Sequence, residues 1–309
     1  MLIDLVYLWV DGNDPEWQAK KRAFTGNISA VNSNDRYSDN DELKYSLRSI
    51  EKYAPWINRV FIVLDSRPPC WLNTNNPKIK IVNSEEILSE SAIPCFNSVI
   101  LEHHLYKLAG LSEHFIYAND DMLLNKPVSP DVFFNKNGFP IIRFIRKPLR
   151  QFFTFYREKI LRKKPLQYRK TIANASDLVK GRFGVYYSGM PHHNIDSYLK
   201  SDQQRVAEEM FHKEITTTFT NHVRNFNDIQ RVIYQYVALA EKRGTLRYVS
   251  EKESIFVGLH NDKQFKKLEN TSPIFFCMND NVSATDQHRN RMKEWLEKRF
   301  PEKSSFERS

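Results

Sequence analysis

The stretch Ile3-Asp4-Leu5-Val6-Tyr7-Leu8-Trp9-Val10, closed by Asp11-Gly12-Asn13-Asp14-Pro15, decides the fold. A nearly continuous apolar run bounded by turn residues predicts a strand buried on both faces. Asp14 and Pro15 then predict a short helix, with Asp14 as its N-cap and Pro15 at its first position. Downstream the alternation continues. Gly26 to Ser38 is rich in Asn and Ser and predicts a loop. Asp39 to Tyr53 predicts a helix with Leu43, Leu47 and Ile50 on one face. Val60 to Leu64, Ile79 to Val82 and Phe115 to Ala118 predict further strands. Ser98 to Leu108 predicts a second long helix, and Ser84 is placed to cap a short turn through Glu85 and Glu86. Strands alternating with helices imply an α/β fold, Rossmann-like, with a mainly parallel sheet flanked by helices. Ligands bind such sheets at the carboxyl ends of the strands, so the residues after each strand hold the candidates for function.

The second half is less regular. Ser201 to Phe211, Asn227 to Glu241 and Asp286 to Phe300 predict helices, and Ile274 to Met278 a late strand. Between the halves lies a basic segment: Arg143 to Lys170 carries eleven Lys and Arg against one acid, Glu158. It accounts for much of the net charge of +9. Such a run is either a solvated face or a contact for an anionic polymer or phospholipid heads.

With 309 residues, 41% of them hydrophobic and 27% charged, the chain has material for one large domain or two small ones. No run approaches the roughly 18–20 apolar residues that span a bilayer. Met1-Leu2-Ile3-Asp4 lacks a basic leader region. The expected location is cytoplasmic, with peripheral contact on the inner face of the cell membrane as a further expectation. Cys70, Cys95 and Cys277 are far apart and odd in number. They suggest free thiols rather than a disulfide framework or a thiolate zinc site.

After the first strand, Trp9, Val10, Asp11 and Gly12 suit a nucleotide pocket: Trp9 to stack on a base, Gly12 to let the backbone approach. An ordinary Asp-Gly turn explains the same residues. After the fourth strand come Asn119, Asp120 and Asp121. Adjacent carboxylates there are either a capped turn or oxygen ligands for a magnesium or manganese ion on substrate phosphates. Asn279 and Asp280 end the late strand in the same way. Asp39-Asn40-Asp41-Glu42 opens a helix, where acids complement the dipole, yet Lys44 and Arg48 follow closely, as at a phosphate site. Met190-Pro191-His192-His193 and Asn221-His222-Val223-Arg224 supply imidazoles and a guanidinium in loops. No P-loop, G-x-G-x-x-G or G-x-S-x-G occurs. No nucleic-acid-binding module accompanies the aromatics Phe152, Phe153, Phe155 and Tyr156, so no nucleic-acid partner is expected.

Together these pieces resemble the Stealth family, the sugar-1-phosphate transferases of microbial capsule and cell-wall polysaccharide synthesis. Four blocks carry the resemblance: Ile3 to Pro15; Asp39 to Glu51, continuing through Ala54-Pro55-Trp56 to Phe115–Asp121; Met190-Pro191-His192 with His222-Val223-Arg224; and Cys277-Met278-Asn279-Asp280. The resemblance departs from the family at two places: Lys44 stands where relatives often carry Arg, and Gly189 stands at the first histidine of a His-x-Pro-His pattern, leaving His192 as the match and His193 as an extra.

The resemblance implies a glycosyltransferase-A-like catalytic domain, a UDP-sugar donor, and Mg²⁺ or Mn²⁺. It implies a saccharide or lipid-linked oligosaccharide acceptor whose hydroxyl attacks the phosphorus next to the sugar and releases UMP. It also implies roles. Asp120, Asp121, Asn279 and Asp280 would hold the metal. Trp9, Val10, Asp11, Gly12 and Asn119 would hold the nucleotide sugar. Arg48 and Arg224 would clamp phosphate, and His192, or else Asp39 or Glu42, would accept the acceptor's proton. Residues 1–140 would form the nucleotide-sugar half, 141–185 a basic insertion for acceptor or membrane contact, and 186–309 the second half of the same domain. Two other readings stand beside this one: a metal-dependent glycosyltransferase releasing UDP, and a non-enzymatic basic protein binding polyanions.

Overall fold

The structure, a computed structural model, describes residues 1–25 and 40–308. The expected loop from Gly26 to Ser38, and the candidate Asp39, lie outside them. The chain runs β1 (Ile3–Trp9), α1 (Pro15–Thr25), α2 (Glu42–Tyr53), β2 (Val60–Leu64), β3 (Ile79–Asn83), α3 (Ser98–His104), β4 (His114–Asn119) and β5 (Met122–Leu124). It continues with β6 (Ile141–Ile145), α4 (Arg150–Phe155), α5 (Gln167–Phe183), β7 (Met190–Pro191), β8 (Asp196–Leu199), α6 (Lys200–Arg205) and α7 (His212–Phe219). It ends with α8 (Val232–Ala240), β9 (Thr245–Tyr248), β10 (Ser254–Gly258), α9 (Asp262–Thr271), β11 (Phe275–Asn279) and α10 (Asp286–Arg299).

The main sheet has the order β3-β2-β1-β4-β8. Its first four strands are parallel and β8 closes it antiparallel to β4. All seven residues of β1 are buried, as the apolar run requires. Alternate side chains enter two cores. Leu5, Tyr7 and Trp9 meet α2 and α10 on one face, while Val6 and Leu8 meet α3, α5 and α8 on the other. The expected α/β architecture, a mainly parallel sheet between helices, is the one observed.

Two smaller sheets were not legible as such. One has the order β10-β11-β5, the other β7-β6-β9. The strands missed in the sequence, β5, β6, β7, β8, β9 and β10, run only two to five residues, too short to display a period. Because β6 pairs with β7 and β9, residues 141–145 of the basic segment belong to a sheet. The turn at Ser84 is capped by Asn83, whose side chain accepts from Glu85 N at 2.9 Å, rather than by Ser84. The helix expected from Asn227 starts only at Val232, because Asp228 accepts from Asn225 N at 2.8 Å and fixes a turn there.

α2 carries the expected apolar stripe, and its buried residues also include Arg48. Arg48 Nε and Nη2 donate to Glu307 at 2.8 and 2.9 Å, and Nη1 donates to Phe300 O at 2.6 Å and Glu297 at 3.3 Å. The expected phosphate clamp at Arg48 is therefore corrected. Its donors are spent on docking the C-terminal segment, and its side chain is only 5% exposed.

Breaking a buried ion pair by removing one partner costs about 3–5 kcal/mol, because it strands the other charge. Arg48→Ala should lose stability on that scale in urea unfolding. Burial pushes the Glu307 carboxyl up, but the hydrogen bonds from Arg48 and Ser304 outweigh it and hold it below its ordinary value. A depressed carboxylate stabilises above its unfolded pKa of about 4.3 and loses that contribution as pH falls through the folded value. The deficit of Glu307→Gln against the parent should therefore be full at pH 7 and shrink at acid pH.

Candidate active site

The strand order places the site. From β1 the chain moves outward to β2 and β3, then crosses back to β4 on the other side of β1. Open α/β sheets bind ligands at such a reversal, in the crevice beyond the strand ends. Here the crevice lies between the residues after β1 (Val10, Asp11, Gly12) and those after β4 (Asp120, Asp121). Leu8 pairs with Asn119 in the last rung between the two strands.

The turn after β4 is held from two sides. From α2, Ser46 Oγ donates to Met122 O at 2.6 Å, so the Tyr7 hydroxyl, 2.6 Å away, donates to Ser46. Leu124 N donates to Ser49 Oγ at 3.1 Å. From β11, Cys277 pairs with Met122 in an antiparallel ladder, and Met278 N donates to Asp121 O at 3.0 Å. The turn thus sits where the main sheet hands the chain to the second one.

Asp121 Oδ2 accepts from the Cys277 thiol at 3.1 Å and from Asn279 Nδ2 at 3.4 Å. Its Oδ1 is buried and has no hydrogen-bond partner among the described residues. Burial, then the Asp121 charge, raises the Cys277 thiol well above its ordinary value, which keeps it a neutral donor. Asp121, Cys277 and His193 bring ligand atoms within 4.8 Å of one another. Burial holds the His193 imidazole below its ordinary pKa, against the pull of Asp121. Asp120 Oδ1 accepts from Asp121 N at 3.1 Å. Asn119 Oδ1 accepts from the Tyr117 hydroxyl at 2.7 Å, which orients that amide at the mouth of the crevice.

Asp280 stands one layer back. Arg289 donates to both its oxygens, at 2.8 and 3.3 Å, and Asn40 Nδ2 donates at 3.3 Å. Asn40 is in turn gripped by Glu42, whose oxygens accept its N–H at 2.6 Å and its amide at 2.9 Å. Asp280 and Glu42 therefore fix Asn40 at the entrance to α2, next to Asp41, which lines the neighbouring cleft.

Beside this cluster lies a cleft of about 600 Å³, lined by Trp9, Asp11, Asp41, Arg67 and Trp71 among others. The Trp9 indole is buried, and its N–H has no hydrogen-bond partner among the described residues. Asp11 Oδ1 accepts from Asn13 N at 2.8 Å, and Gly12 O accepts from Gln18 Nε2 at 2.7 Å, which shapes the turn at the cleft floor. Arg67 and Trp71 follow β2 in a loop whose sequence, rich in proline, gave no period to flag it.

Two expectations in the histidine block change. His192 is buried and faces inward: Nδ1 lies 2.9 Å from Ser254 Oγ and Nε2 lies 3.4 Å from Asp196 Oδ1. Arg231 completes the group, pairing with Asp196 and Glu102, each at 3.1 Å. Burial raises the Asp196 carboxyl, but His192 and Arg231 outweigh it and hold it low. A histidine so enclosed has no face for an acceptor hydroxyl, and the expected base at His192 is corrected. The neighbour taken as an extra, His193, faces the cluster instead, with φ of 55°; the left-handed backbone at His193 is what turns consecutive side chains to opposite environments. Arg224 is exposed and donates to Ser98 Oγ at 2.8 Å, at the start of α3.

Fold and site together define an open α/β protein with an acidic turn at its switch point, beside a cleft lined by two tryptophans. The chain belongs to the Stealth family. It matches the models of Stealth conserved region 1 over residues 1–29, region 2 over 36–142 and region 4 over 266–309. It is 33% identical to the capsular polysaccharide phosphotransferase SacB of Neisseria meningitidis serogroup A, over 99% of this chain and 57% of that one. It is 30% identical to the receptor polysaccharide phosphotransferase WefC of Streptococcus oralis, over 99% of each. The same identity relates it to the exopolysaccharide phosphotransferase cps2G of Lactiplantibacillus plantarum, over 99% of this chain and 96% of that one. The chain thus spans little more than half of SacB and nearly all of WefC and cps2G. Among solved structures it is distantly similar to LgtC, a galactosyltransferase solved with donor and acceptor sugar analogs, at a TM-score of 0.46 and 11% identity, covering 96% and 95% of the two chains.

The two histidines should separate by experiment. His192→Ala leaves Ser254 and Asp196 short of a buried partner, at a cost of about 2 kcal/mol, and should lower the thermal midpoint by several degrees. His193→Ala should leave the midpoint within about a degree, since it removes a half-buried ring with no comparable network. Differential scanning fluorimetry of both variants decides; equal losses would refute the assignment.

Proposed function

We propose that this chain transfers a hexose or N-acetylhexosamine 1-phosphate from a UDP-sugar to a saccharide hydroxyl, releasing UMP and forming a phosphodiester in capsule or cell-wall polysaccharide. The observation that carries the proposal is the Asp120–Asp121 turn at the switch point, with its unsatisfied Asp121 oxygen, beside an aromatic cleft of nucleoside size. The phosphotransferase names of the relatives support the reaction class.

A buried carboxylate oxygen without a partner is costly unless something positive meets it. Asp121, Asp120 and the Asn279 amide oxygen are hard donors of the kind magnesium and manganese take, so the residues present fit such an ion. When bound, it would neutralise charge on the donor pyrophosphate. Asp280 is withheld from direct ligation by Arg289 and supports the loop instead.

The remaining work falls to side chains. Trp9 and Trp71, which line the cleft, hold the nucleoside there. Asn119 and the turn at Asp11 and Gly12 hold the sugar phosphate against the strand ends. Arg224, exposed and planar, binds phosphate oxygens. His193, kept neutral by its surroundings, accepts the proton of the attacking hydroxyl at an imidazole nitrogen. Phosphoryl-type transfer asks for little else than positioning and charge stabilisation.

Incubation of the protein with Mg²⁺ or Mn²⁺, a panel of UDP-sugars and a capsule-type saccharide should release UMP and give a new phosphodiester resonance in phosphorus NMR. Asp121→Asn should lower the rate by about 100-fold or more with an unchanged thermal midpoint. Release of UDP without a phosphodiester would make the chain a glycosyltransferase. No turnover and no stabilisation by metal with any UDP-sugar would favour a polyanion-binding protein.

A further inference from the structure

The basic segment also carries ten of the nineteen exposed large hydrophobic side chains among the described residues. Leu149, Phe152, Phe153, Phe155, Ile160 and Leu166 are each 53–60% exposed. They lie on α4, on the π-helical turn Tyr156–Ile160 and on the link to α5. The rings pack mainly on one another: Phe152 lies 5.8 Å from Phe153 and 6.3 Å from Tyr156. Interleaved with them are the exposed cations Lys147, Lys159, Arg162, Lys163, Lys164 and Arg169. Among the described residues no helix is long and apolar enough to cross a membrane.

We propose that residues 145–168 dock the protein on an anionic lipid bilayer, with the aromatic side chains in the interfacial layer and the cations on phospholipid head groups. The composition selects this occupant. A soluble polyanion satisfies the cations but leaves six large apolar side chains in water, whereas an anionic interface accommodates both. Aromatic residues favour that layer, and contiguous exposed apolar patches on soluble domains mark interaction sites.

The patch also reaches the active site. Tyr168, 41% exposed, lies 6.3 Å from the His193 ring, and His193 in turn lies 5.3 Å from Phe256, 40% exposed. Docking through this segment brings the His193 side of the crevice toward the bilayer, where an acceptor carried on a lipid would be presented. The docking itself does not rest on the reaction proposed above, because vesicle binding is read without turnover.

The test is flotation of the full chain with vesicles of phosphatidylcholine alone or with phosphatidylglycerol added, at low and high salt. The expected result is binding to the anionic vesicles about tenfold above the neutral ones, weakened by salt. The triple variant Phe152→Ser/Phe153→Ser/Phe155→Ser should lose about tenfold in binding while keeping its thermal midpoint and its turnover of a soluble acceptor. Should the triple variant fold poorly, Phe155→Ser alone, at 57% exposure, should still weaken flotation. Absence of binding at low salt overturns the proposal. So does undiminished flotation of folded aromatic variants. Retention on an anionic polysaccharide without vesicle binding would assign the surface to a polyanion instead.

Discussion

The antiparallel rungs between β5 and β11, continued by Met278 N to Asp121 O, are the constraint on which the rest of the site depends. A tight turn carrying two adjacent carboxylates is self-repelling, and left alone it would splay into solvent. The ladder on one side and the Tyr7–Ser46–Met122 chain on the other fix its backbone. That backbone is then strong enough to hold Asp121 half-buried with one oxygen unsatisfied. Burial near a low-dielectric wall makes such a charge both expensive and effective. The fold meets the expense with a neutral thiol and an amide on Oδ2, and leaves Oδ1 without a partner among the described residues.

A second charged group shows the opposite strategy. Glu102, Asp196 and His192 are buried and Arg231 nearly so, and the four are linked by ion pairs, so their charges are directed at one another rather than at the crevice. The Arg231 guanidinium also stacks 4.7 Å from the Tyr117 ring on β4, which ties α8 to the strand that ends in the acidic turn. The network is scaffolding for the crevice, reached through β4 and β8. Arg48 with Glu307 serves the same purpose on the other face, behind α2. What distinguishes Asp121 is its place: its unpartnered oxygen belongs to the turn at the strand ends.

Period and order were legible in the sequence where elements are long or wholly apolar. β1, β2, β4, β11, α2 and α10 are set by runs or stripes whose burial leaves little choice, and the acidic turn followed from the position of its strand. Side-chain direction was not legible. His192 and His193 are adjacent, and the φ of 55° that sends one inward and the other to the crevice is a tertiary outcome. Arg48 follows acids within two turns of a helix, as a phosphate ligand would, but the 3.6-residue period sets it on the face that meets the C-terminal segment. Cys277 looked like an isolated thiol because its partner, Asp121, is 156 positions away. Cooperation at that separation is carried by sheet pairing, which a single sequence does not display.

The basic run shows most clearly how charge alone misleads. Its eleven cations looked uniform, yet two are internal. Arg143 is 2% exposed and donates to Glu253 at 2.9 Å, and Arg150 is 8% exposed and donates to Ser188 O at 3.0 Å and Tyr187 O at 2.6 Å. These two guanidiniums, able to satisfy several acceptors at once, anchor β6 and α4 to the body. Between and beyond them most of the remaining charges are exposed and keep their hydration, and burying the neighbouring aromatics would drag those charges out of water at several kcal/mol each. The rings therefore stay outside, held on a segment whose roots are rigid. An apolar surface fixed in this way is a property of the fold rather than of a loose loop, and the cations that flank the aromatic run on both sides keep it exposed.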